Sequence, residues 1–105
     1  MKKRPPIHPG SVLKMELEEA GISANSAALS MRIPANRLTE IINGKRSISA
    51  ETAMRLALFF GTSTQMWMNL QSSYEVQVAE DKLAARIKKE VEPLARVAPA
   101  KARIG

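Results

Sequence analysis

The stretch SANSAALSMRIPANRLTEIINGKR, residues 23–46, decides the fold of this chain of 105 residues. Its apolar residues recur at helical spacing on both sides of a break that ends in Pro34. Ala27 and Ala28 are small enough to let two helices cross closely. Ser23 is a typical N-cap for the first helix, and Pro34 suits the first turn of the second, where no N–H is needed. The stretch therefore predicts two short helices joined by a tight turn.

The second of these helices has one apolar and one polar face. Leu38 and Ile41 recur at the spacing of a buried stripe, while the opposite side is rich in hydrogen-bonding groups. Lys45 and Arg46 follow the helix directly, where side chains and backbone N–H groups are suited to phosphate. A helical hairpin with a merely solvated polar face is the alternative interpretation. The residues predicted to face DNA bases are Asn36, Arg37, Thr39, Glu40 and Asn43.

The charge of the chain indicates an anionic partner. Sixteen Lys and Arg against ten Asp and Glu give a formal net charge of +6 and a pI near 10.1. The basicity is concentrated at the C-terminal end, since residues 82–105 contain seven basic and two acidic residues. No apolar run approaches the roughly 20 residues that span a bilayer, and the chain has no cysteine. We expect a soluble cytoplasmic protein without disulfides or membrane contact.

Catalytic chemistry has little support in this sequence. There is no cysteine nucleophile, no cluster of metal-ligating residues and no glycine-rich phosphate loop. The single histidine, His8, precedes a proline at a helix start, so we expect it to cap or pack rather than catalyse. RNA binding is weakly supported, because the four aromatic residues lie mostly at core spacing. The sequence predicts no enzyme, no cofactor and no metal.

Further helices flank the central pair. The sequence predicts a helix from Pro9 to Ala20, stopped by Gly21, and another between the N-cap Ser49 and Gly61. A fifth helix follows, and the fold class is therefore all-α, with five helices and an additional C-terminal helix. The predicted core contains Leu13, Leu17, Ala28, Met31, Ile33, Leu38, Ile41, Leu56 and Leu70.

Four segments are predicted along the chain. Residues 1–8 form an extended basic arm that either lies along DNA phosphates or is a disordered tail, and residues 9–80 form the helical domain. Residues 81–94 form an amphipathic helix, and residues 95–105 a flexible basic tail. The fifth helix has more large apolar residues than a small core needs, which predicts a homodimer. The predicted dimer contacts are Met66, Trp67, Tyr74 and Val78.

Five motifs together resemble one family over roughly residues 7–80. They are IHPG at 7–10, IINGKR at 41–46, SAETA at 49–53, FGTS at 60–63 and WMNLQ at 67–71. Their order and spacing are similar to those of HigA-type, VapI-like antitoxins, which are phage-repressor-like (Xre) helix-turn-helix proteins. The resemblance implies a bacterial antitoxin that binds a near-palindromic double-stranded DNA operator as a dimer. It also implies neutralisation of a HigB-type mRNA-cleaving toxin and repression of their shared operon.

By position, the resemblance also implies which residues hold DNA phosphates. These are Ser23, Asn25, Lys45 and Arg46. Two positions depart from the family pattern. Ala24 stands where the family frequently has a glutamine whose side chain reaches DNA. Arg32 replaces a frequent turn glycine, at a cost of about 1 kcal/mol if the backbone there is left-handed.

Two other functions fit the same motifs. One is a stand-alone Xre-family repressor without a toxin partner, and the other is a protein-interaction module that no longer binds DNA. Ala24 gives the second slight support. For an antitoxin, the predicted toxin contact is the first helix with the N-terminal arm, where Glu18 and Glu19 suit a basic ribonuclease.

Overall fold

The computed structural model describes residues 4–98, which contain helices, turns and extended segments but no strand. This confirms the prediction of an all-α fold. None of the helices in this range is long and apolar enough to cross a membrane. The helices are α1 (Pro9–Ala20), α2 (Ala24–Met31), α3 (Ala35–Ile42), α4 (Ala50–Phe60), α5 (Thr64–Glu90) and α6 (Leu94–Val97).

Side chains cap the starts of four helices. Each cap accepts a hydrogen bond from a backbone N–H in the first turn, which would otherwise have no partner inside the helix. Ser23 caps α2 and Ser49 caps α4, as predicted, and His8 caps α1 in place of a more usual serine. Ser63 caps α5 in the same way. Local sequence therefore determines where these helices begin.

The core lies between the first five helices, with Trp67 at its centre. Trp67 is the largest side chain with no exposed surface, and its indole N–H donates to Thr62 Oγ1 at 2.9 Å. This burial contradicts the prediction that Trp67 contacts a second chain, because its whole surface is covered by its own domain. All the predicted core residues are buried except Leu70, which is half-buried. The core also contains Ala27, Ile48, Ala53, Ala57 and Trp67.

The fifth helix is longer than predicted. No glycine or proline interrupts residues 79–82, and α5 continues through them as one helix of 27 residues, about 40 Å long. The predicted domain boundary between residues 80 and 81 lies inside it. Residues 94–97 form the single turn of α6 after Pro93, where the sequence predicted a flexible tail from residue 95. The predicted tail residues 99–105, and arm residues 1–3, lie outside the described range.

The N-terminal arm packs on the domain over its described residues, 4–8. The Gln77 side-chain amide donates to the Arg4 carbonyl oxygen at 2.9 Å, and the His8 ring meets the Tyr74 ring edge-on with centroids 4.8 Å apart. Residues 4–8 are therefore held by the domain and do not form a disordered tail, whereas the contact of the arm with DNA phosphates stays a prediction. Tyr74, a predicted dimer contact, is therefore engaged by its own chain.

Gln71 is a buried polar side chain that connects α5 to the loop after α3. Its Oε1 accepts the Ile48 backbone N–H at 2.8 Å, and its Nε2 donates to Glu75 Oε2 at 2.8 Å. Ile48 is only 2% exposed, so water has little access to this N–H. The loop that carries Lys45 and Arg46 is thus fixed to the core at one backbone group.

We expect Gln71→Ala to lower the free energy of unfolding by about 2 kcal/mol, because it leaves a buried N–H without an acceptor. Urea denaturation followed by circular dichroism measures this. Gln65→Ala is the control, since Gln65 bonds Asn69 on the exposed side of the same helix. Its effect should stay within about 0.5 kcal/mol. Equal losses in the two variants would contradict a special role for the Gln71 bond to Ile48.

Candidate nucleic-acid interface

The turn between α2 and α3 contains a residue in a left-handed backbone conformation. Arg32 has φ 55° and ψ 44°, and it is the one non-glycine residue with positive φ in the described range. Its N–H donates to the Leu29 carbonyl oxygen at 3.2 Å, and the Ile33 N–H donates to the Ala28 carbonyl oxygen at 3.0 Å. This pattern of helix termination usually has glycine at the Arg32 position. The turn keeps its geometry with arginine, at some cost in backbone strain.

The α3 helix presents a polar face to solvent. Leu38 and Ile41 have no exposed surface and fix the inward side of the helix. The five predicted base-facing residues all lie on the remaining side, spread over the length of α3 and its C-cap. Asn36, Thr39 and Asn43 are exposed, and Arg37 and Glu40 are half-buried.

Three of these polar side chains make contacts within the chain. The Thr39 hydroxyl donates to the Ala35 carbonyl oxygen at 3.0 Å, and Asn36 Oδ1 accepts the Arg37 backbone N–H at 3.0 Å. Glu40 forms an ion pair with Arg46. The guanidinium of Arg37 forms no ion pair with another residue of the described range. Arg37 is thus the cation of this face that is available to a ligand.

An ion pair links α3 to the loop that follows it. Arg46 Nε donates to Glu40 Oε1 at 2.7 Å, and both side chains are about half exposed, at 50% and 43%. The pair offsets a carboxylate that would otherwise repel phosphate on this face. It also places the Arg46 guanidinium beside the helix, so the predicted phosphate contact of Arg46 is shared with Glu40.

The end of α3 is closed by backbone hydrogen bonds around Gly44. The Gly44 N–H donates to the Ile41 carbonyl oxygen at 3.0 Å, and the Lys45 N–H donates to the Glu40 carbonyl oxygen at 2.8 Å. Gly44, the residue after the C-cap of α3, has φ 75°. Helices that end with this pair of hydrogen bonds need a left-handed backbone at that residue, and it is usually glycine. The backbone N–H of Lys45 is therefore not available to phosphate, contrary to the prediction. Its side chain is exposed, as is that of Arg46.

The predicted phosphate contacts of α2 lie at its N-terminus. Ser23 and Asn25 are both exposed there. Ser23 Oγ accepts the Ser26 backbone N–H at 3.1 Å, so its oxygen caps the helix. Its hydroxyl hydrogen remains able to donate to an anion. Phosphate is favoured next to a helix N-terminus by the helix dipole.

Sequence analysis missed one residue that supports this interface, Arg55 of α4. Its Nη1 donates to the Met31 carbonyl oxygen at the end of α2, at 3.1 Å, while Nε and Nη2 bond Glu51 Oε2. The pairing of Glu51 with Arg55 is visible as a spacing of four along a helix. The contact with Met31 is not, because it joins residues 24 apart in the chain.

His8 lies where α1, α5 and the end of α3 meet. Its Nδ1 accepts the Gly10 N–H at 2.9 Å, and a Cβ at Gly44 would lie 3.7 Å from its ring. Partial burial lowers the pKa of His8 below its ordinary value of 6.5, because the charged imidazolium loses hydration there. Protonation would also remove the acceptor that caps α1.

We expect stability to fall as the pH drops below 6.5. The folded chain holds His8 with a lowered pKa, so between the two pKa values the unfolded chain binds more protons. Stability from this residue is therefore complete above pH 6.5 and is lost as the pH falls through the folded pKa. Urea denaturation between pH 7.5 and 5.5 measures the change. In His8→Asn, which keeps a capping oxygen but does not titrate, the same series should be nearly flat.

The described residues contain no group of His, Cys, Asp or Glu that could hold a metal ion. The arrangement is instead a polar helix face on a tight turn, with cations at its end. Such a surface can read base edges through side-chain hydrogen bonds and hold phosphates through Lys and Arg.

Known proteins share this architecture. Residues 13–67 match the model of a helix-turn-helix family. The chain is 40% identical to virulence-associated protein I of Dichelobacter nodosus over 77 residues, which cover 72% of this chain and 71% of that protein.

Two solved structures are also similar. One is an addiction module antidote protein of a HigA family from Coxiella burnetii, with a TM-score of 0.82 and 49% identity over 86% of this chain and 99% of that one. The other is antitoxin HigA of Pseudomonas aeruginosa with the higBA promoter, with a TM-score of 0.81 and 42% identity over 85% of this chain and 98% of that one.

Proposed function

Since the chain belongs to the HigA-type antitoxins of the helix-turn-helix family, we propose that it binds operator DNA through α3 and represses the operon that encodes it and its toxin. The observation that carries this proposal is the exposed polar face of α3 on a tight turn, with Lys45 and Arg46 at its end. The similar antitoxin HigA of Pseudomonas aeruginosa with the higBA promoter supports it. The family consists of DNA-binding regulators and not of enzymes.

Base readout is assigned to the middle of α3 in the major groove. Arg37 donates two hydrogen bonds to guanine, and Asn36 or Asn43 pairs with adenine. Each such pair is worth about 1–3 kcal/mol of discrimination against a wrong base. Thr39 and Glu40 complete this face, with Glu40 also holding Arg46 in place.

Phosphate contacts are assigned to both ends of the helix pair. Lys45 and Arg46 hold one phosphate group after α3, and Ser23 and Asn25 hold another at the start of α2. These contacts set the register of α3 in the groove, while the bases determine which sequence binds. Of these side chains, the cations Lys45 and Arg46 contribute most to affinity, because each phosphate that they neutralise releases bound counterions.

A twofold dimer gives this arrangement its specificity. Two copies of α3 enter successive major grooves, so the half-sites of a near-palindromic operator lie about 34 Å apart. The dimer is joined through α5. Of the predicted contacts, Met66 and Val78 are half-buried in the single chain, and Met66 packs against the core.

Lys45→Ala should weaken DNA binding on every sequence and reduce its salt dependence. Loss of one phosphate contact from each chain of a dimer lowers the slope of log K against log salt by about 1.8. Fluorescence anisotropy titrations between 50 and 200 mM salt measure the slope on operator and random DNA. Lys14→Ala, an equal loss of charge on the exposed side of α1, should leave the slope unchanged. A slope that moved equally in both variants would show that only net charge matters.

The toxin partner is a HigB-type ribonuclease, bound by the outer side of α1. Glu18 and Glu19 are exposed there and suit a basic RNA-binding surface. Co-expression with the product of the adjacent reading frame, affinity purification and mass determination test this. A stoichiometric complex with a small basic protein is the expected result. Elution of this chain alone, with a soluble partner present, would favour a stand-alone repressor.

A charge-reversed chain, Glu18→Lys with Glu19→Lys, locates the toxin surface in the same experiment. We expect it to lose the toxin but still bind DNA, since both side chains are exposed at the C-terminal end of α1, whereas Gly10 at its N-terminal end is the residue that contacts α3. An intact complex with this variant would place the toxin on another surface.

A further inference from the structure

The end of α2 is held by a side chain of another helix. The last carbonyl groups of a helix have no partner inside it, and two of them here accept the N–H groups of Arg32 and Ile33 in the turn. The carbonyl oxygen of Met31, the last residue of α2, instead accepts from Arg55 Nη1 at 3.1 Å. A cation at this end of a helix also complements the helix dipole. Arg55 of α4 is thus a C-terminal cap for α2.

Glu51 holds the Arg55 guanidinium in place. Arg55 Nε and Nη2 both donate to Glu51 Oε2, at 3.2 and 3.0 Å. Because the guanidinium is planar, these two bonds leave Nη1 with one fixed direction. The carboxylate also offsets the charge of Arg55 beside Arg32, which lines the same groove and forms no ion pair in the part of the chain that the structure describes. The direction of the bond to α2 is therefore set by α4.

The bond from Arg55 fixes the peptide group between Met31 and Arg32. The Met31 carbonyl belongs to this group, so its direction depends on ψ of Met31 and φ of Arg32. Arg32 has φ 55°, where an L-residue with a side chain is strained. Such a conformation persists where its surroundings determine it. Rotation of this peptide group would return Arg32 to negative φ, but it would also turn the carbonyl away from Arg55.

The turn at Arg32 determines the direction of α3. Only residues 32–34 separate α2 from α3, so the direction in which the chain leaves Arg32 sets the angle between the two helices. Pro34, the N-cap of α3, makes no side-chain capping bond. The α4 helix packs against α2 and α5. Arg55 therefore ties the turn to a helix that lies outside the helix-turn-helix pair.

We propose that Arg55, held by Glu51, is a positioning residue that keeps the turn at Arg32 left-handed and thereby sets the angle at which α3 meets the bases. It acts on sequence selectivity without touching DNA. The inference rests on the proposed function and assigns a specificity-determining residue outside the base-reading face. The chain needs Arg55 in this role because residue 32 is an arginine, since a glycine would adopt the same backbone conformation without strain.

Arg55→Met in the full-length chain tests this role, because methionine keeps an apolar stem but donates no hydrogen bond. We expect the ratio of operator affinity to random-sequence affinity to fall about tenfold, since a tilted α3 weakens base contacts in both subunits. Affinity for random DNA should change by less than about twofold, because phosphate contacts carry it. Fluorescence anisotropy measures both, at a temperature where circular dichroism shows folded protein. Arg86→Met, which breaks an ion pair of the same spacing with Glu90 inside α5, is the matched control and should leave the ratio unchanged.

A glycine background separates positioning from general support of the fold. Arg32→Gly removes the strain, so adding Arg55→Met to it should change the selectivity by less than about threefold. NMR backbone chemical shifts of residues 31–34 follow the turn without DNA. Arg55→Met should change these shifts in the original chain and much less in the glycine background. If Arg55→Met is too unstable to measure, Arg55→Lys gives the same readouts, since lysine keeps the charge but has no planar guanidinium.

Two results would overturn the proposal. In the first, the Arg55 variant is less stable, but the folded protein keeps both its selectivity and the chemical shifts of residues 31–34. In the second, the loss of selectivity is equally large in the Arg32→Gly background.

Failure of the proposed function gives a different result. If neither the original chain nor any variant binds the operator while the shifts respond as expected, Arg55 holds the turn and the DNA-binding function is wrong. If every variant binds the operator with the original selectivity, the function is supported and the role of Arg55 is wrong.

Discussion

Replacing Gly10 with alanine is expected to lower the free energy of unfolding by about 3 kcal/mol or more. A Cβ at this position would overlap the Ile41 carbonyl oxygen and lie 2.9 Å from the Ile42 carbonyl oxygen. Both are backbone atoms at the end of α3, so no change of rotamer relieves the overlap. The start of α1 must therefore move away from α3, and the contact between the two helices is lost.

The same substitution should weaken DNA binding beyond what the unfolded fraction explains, because the last turn of α3 is displaced. Urea denaturation gives the stability, and operator titration at a temperature where the variant remains folded gives the affinity. Ser11→Ala, at the next and exposed position of α1, should change stability by less than about 0.5 kcal/mol. If Gly10→Ala were as stable as Ser11→Ala, the helices would have to lie further apart than the structure places them.

Replacing Arg37 with alanine is expected to remove most of the preference for the operator over random DNA. A bidentate contact with guanine contributes about 1–3 kcal/mol of discrimination, and a dimer makes two of them. The ratio of operator affinity to random-sequence affinity should fall by about 30-fold or more. Affinity for random DNA itself should fall much less, since Arg37 is assigned to bases rather than phosphates.

Parallel titrations with both DNAs at one salt concentration measure this ratio. Arg86→Ala removes an equal charge from the exposed C-terminal half of α5 and should leave the ratio unchanged. If Arg37→Ala kept the selectivity of the original chain, the base-reading face would lie elsewhere on α3. If both variants lost it equally, selectivity would depend on net charge or on folding instead of on one side chain.

The features predicted well from sequence are those that depend on near neighbours. Ser23 and Ser49 cap the helices they were expected to cap, and Gly21 ends α1 where predicted. Caps and stops involve residues within one turn of each other, so a single stretch of sequence contains the whole signal. The left-handed conformation at Arg32 was raised on a different ground, the resemblance to a family that often has glycine at this position, and the backbone at Arg32 is left-handed.

The features that sequence did not predict join distant parts of the chain. Trp67 was assigned to a dimer interface, although aromatic residues at this helical spacing more often lie in the core, and only the packing of five helices decides that it is buried. Gln71 looks like an ordinary polar residue of a helix until its partner Ile48 is known, 23 residues away. Among the candidate site residues, exposure of the α3 face followed from periodicity. The ion pair between Glu40 and Arg46 was not predicted. The hydrogen bond from the Lys45 N–H to the Glu40 carbonyl oxygen, which closes the end of α3, was not predicted either.

The length of α5 has a consequence for the choice of operator. One continuous helix of 27 residues connects the packed domain to the segment that is proposed to join two chains. A continuous helix of this length fixes the distance and the angle between the two copies of α3. Each residue inserted into or deleted from residues 79–82 would shift one end by about 1.5 Å and rotate it by about 100°. Related repressors with different half-site spacings are therefore expected to differ in the length of this helix as well as in the residues of α3.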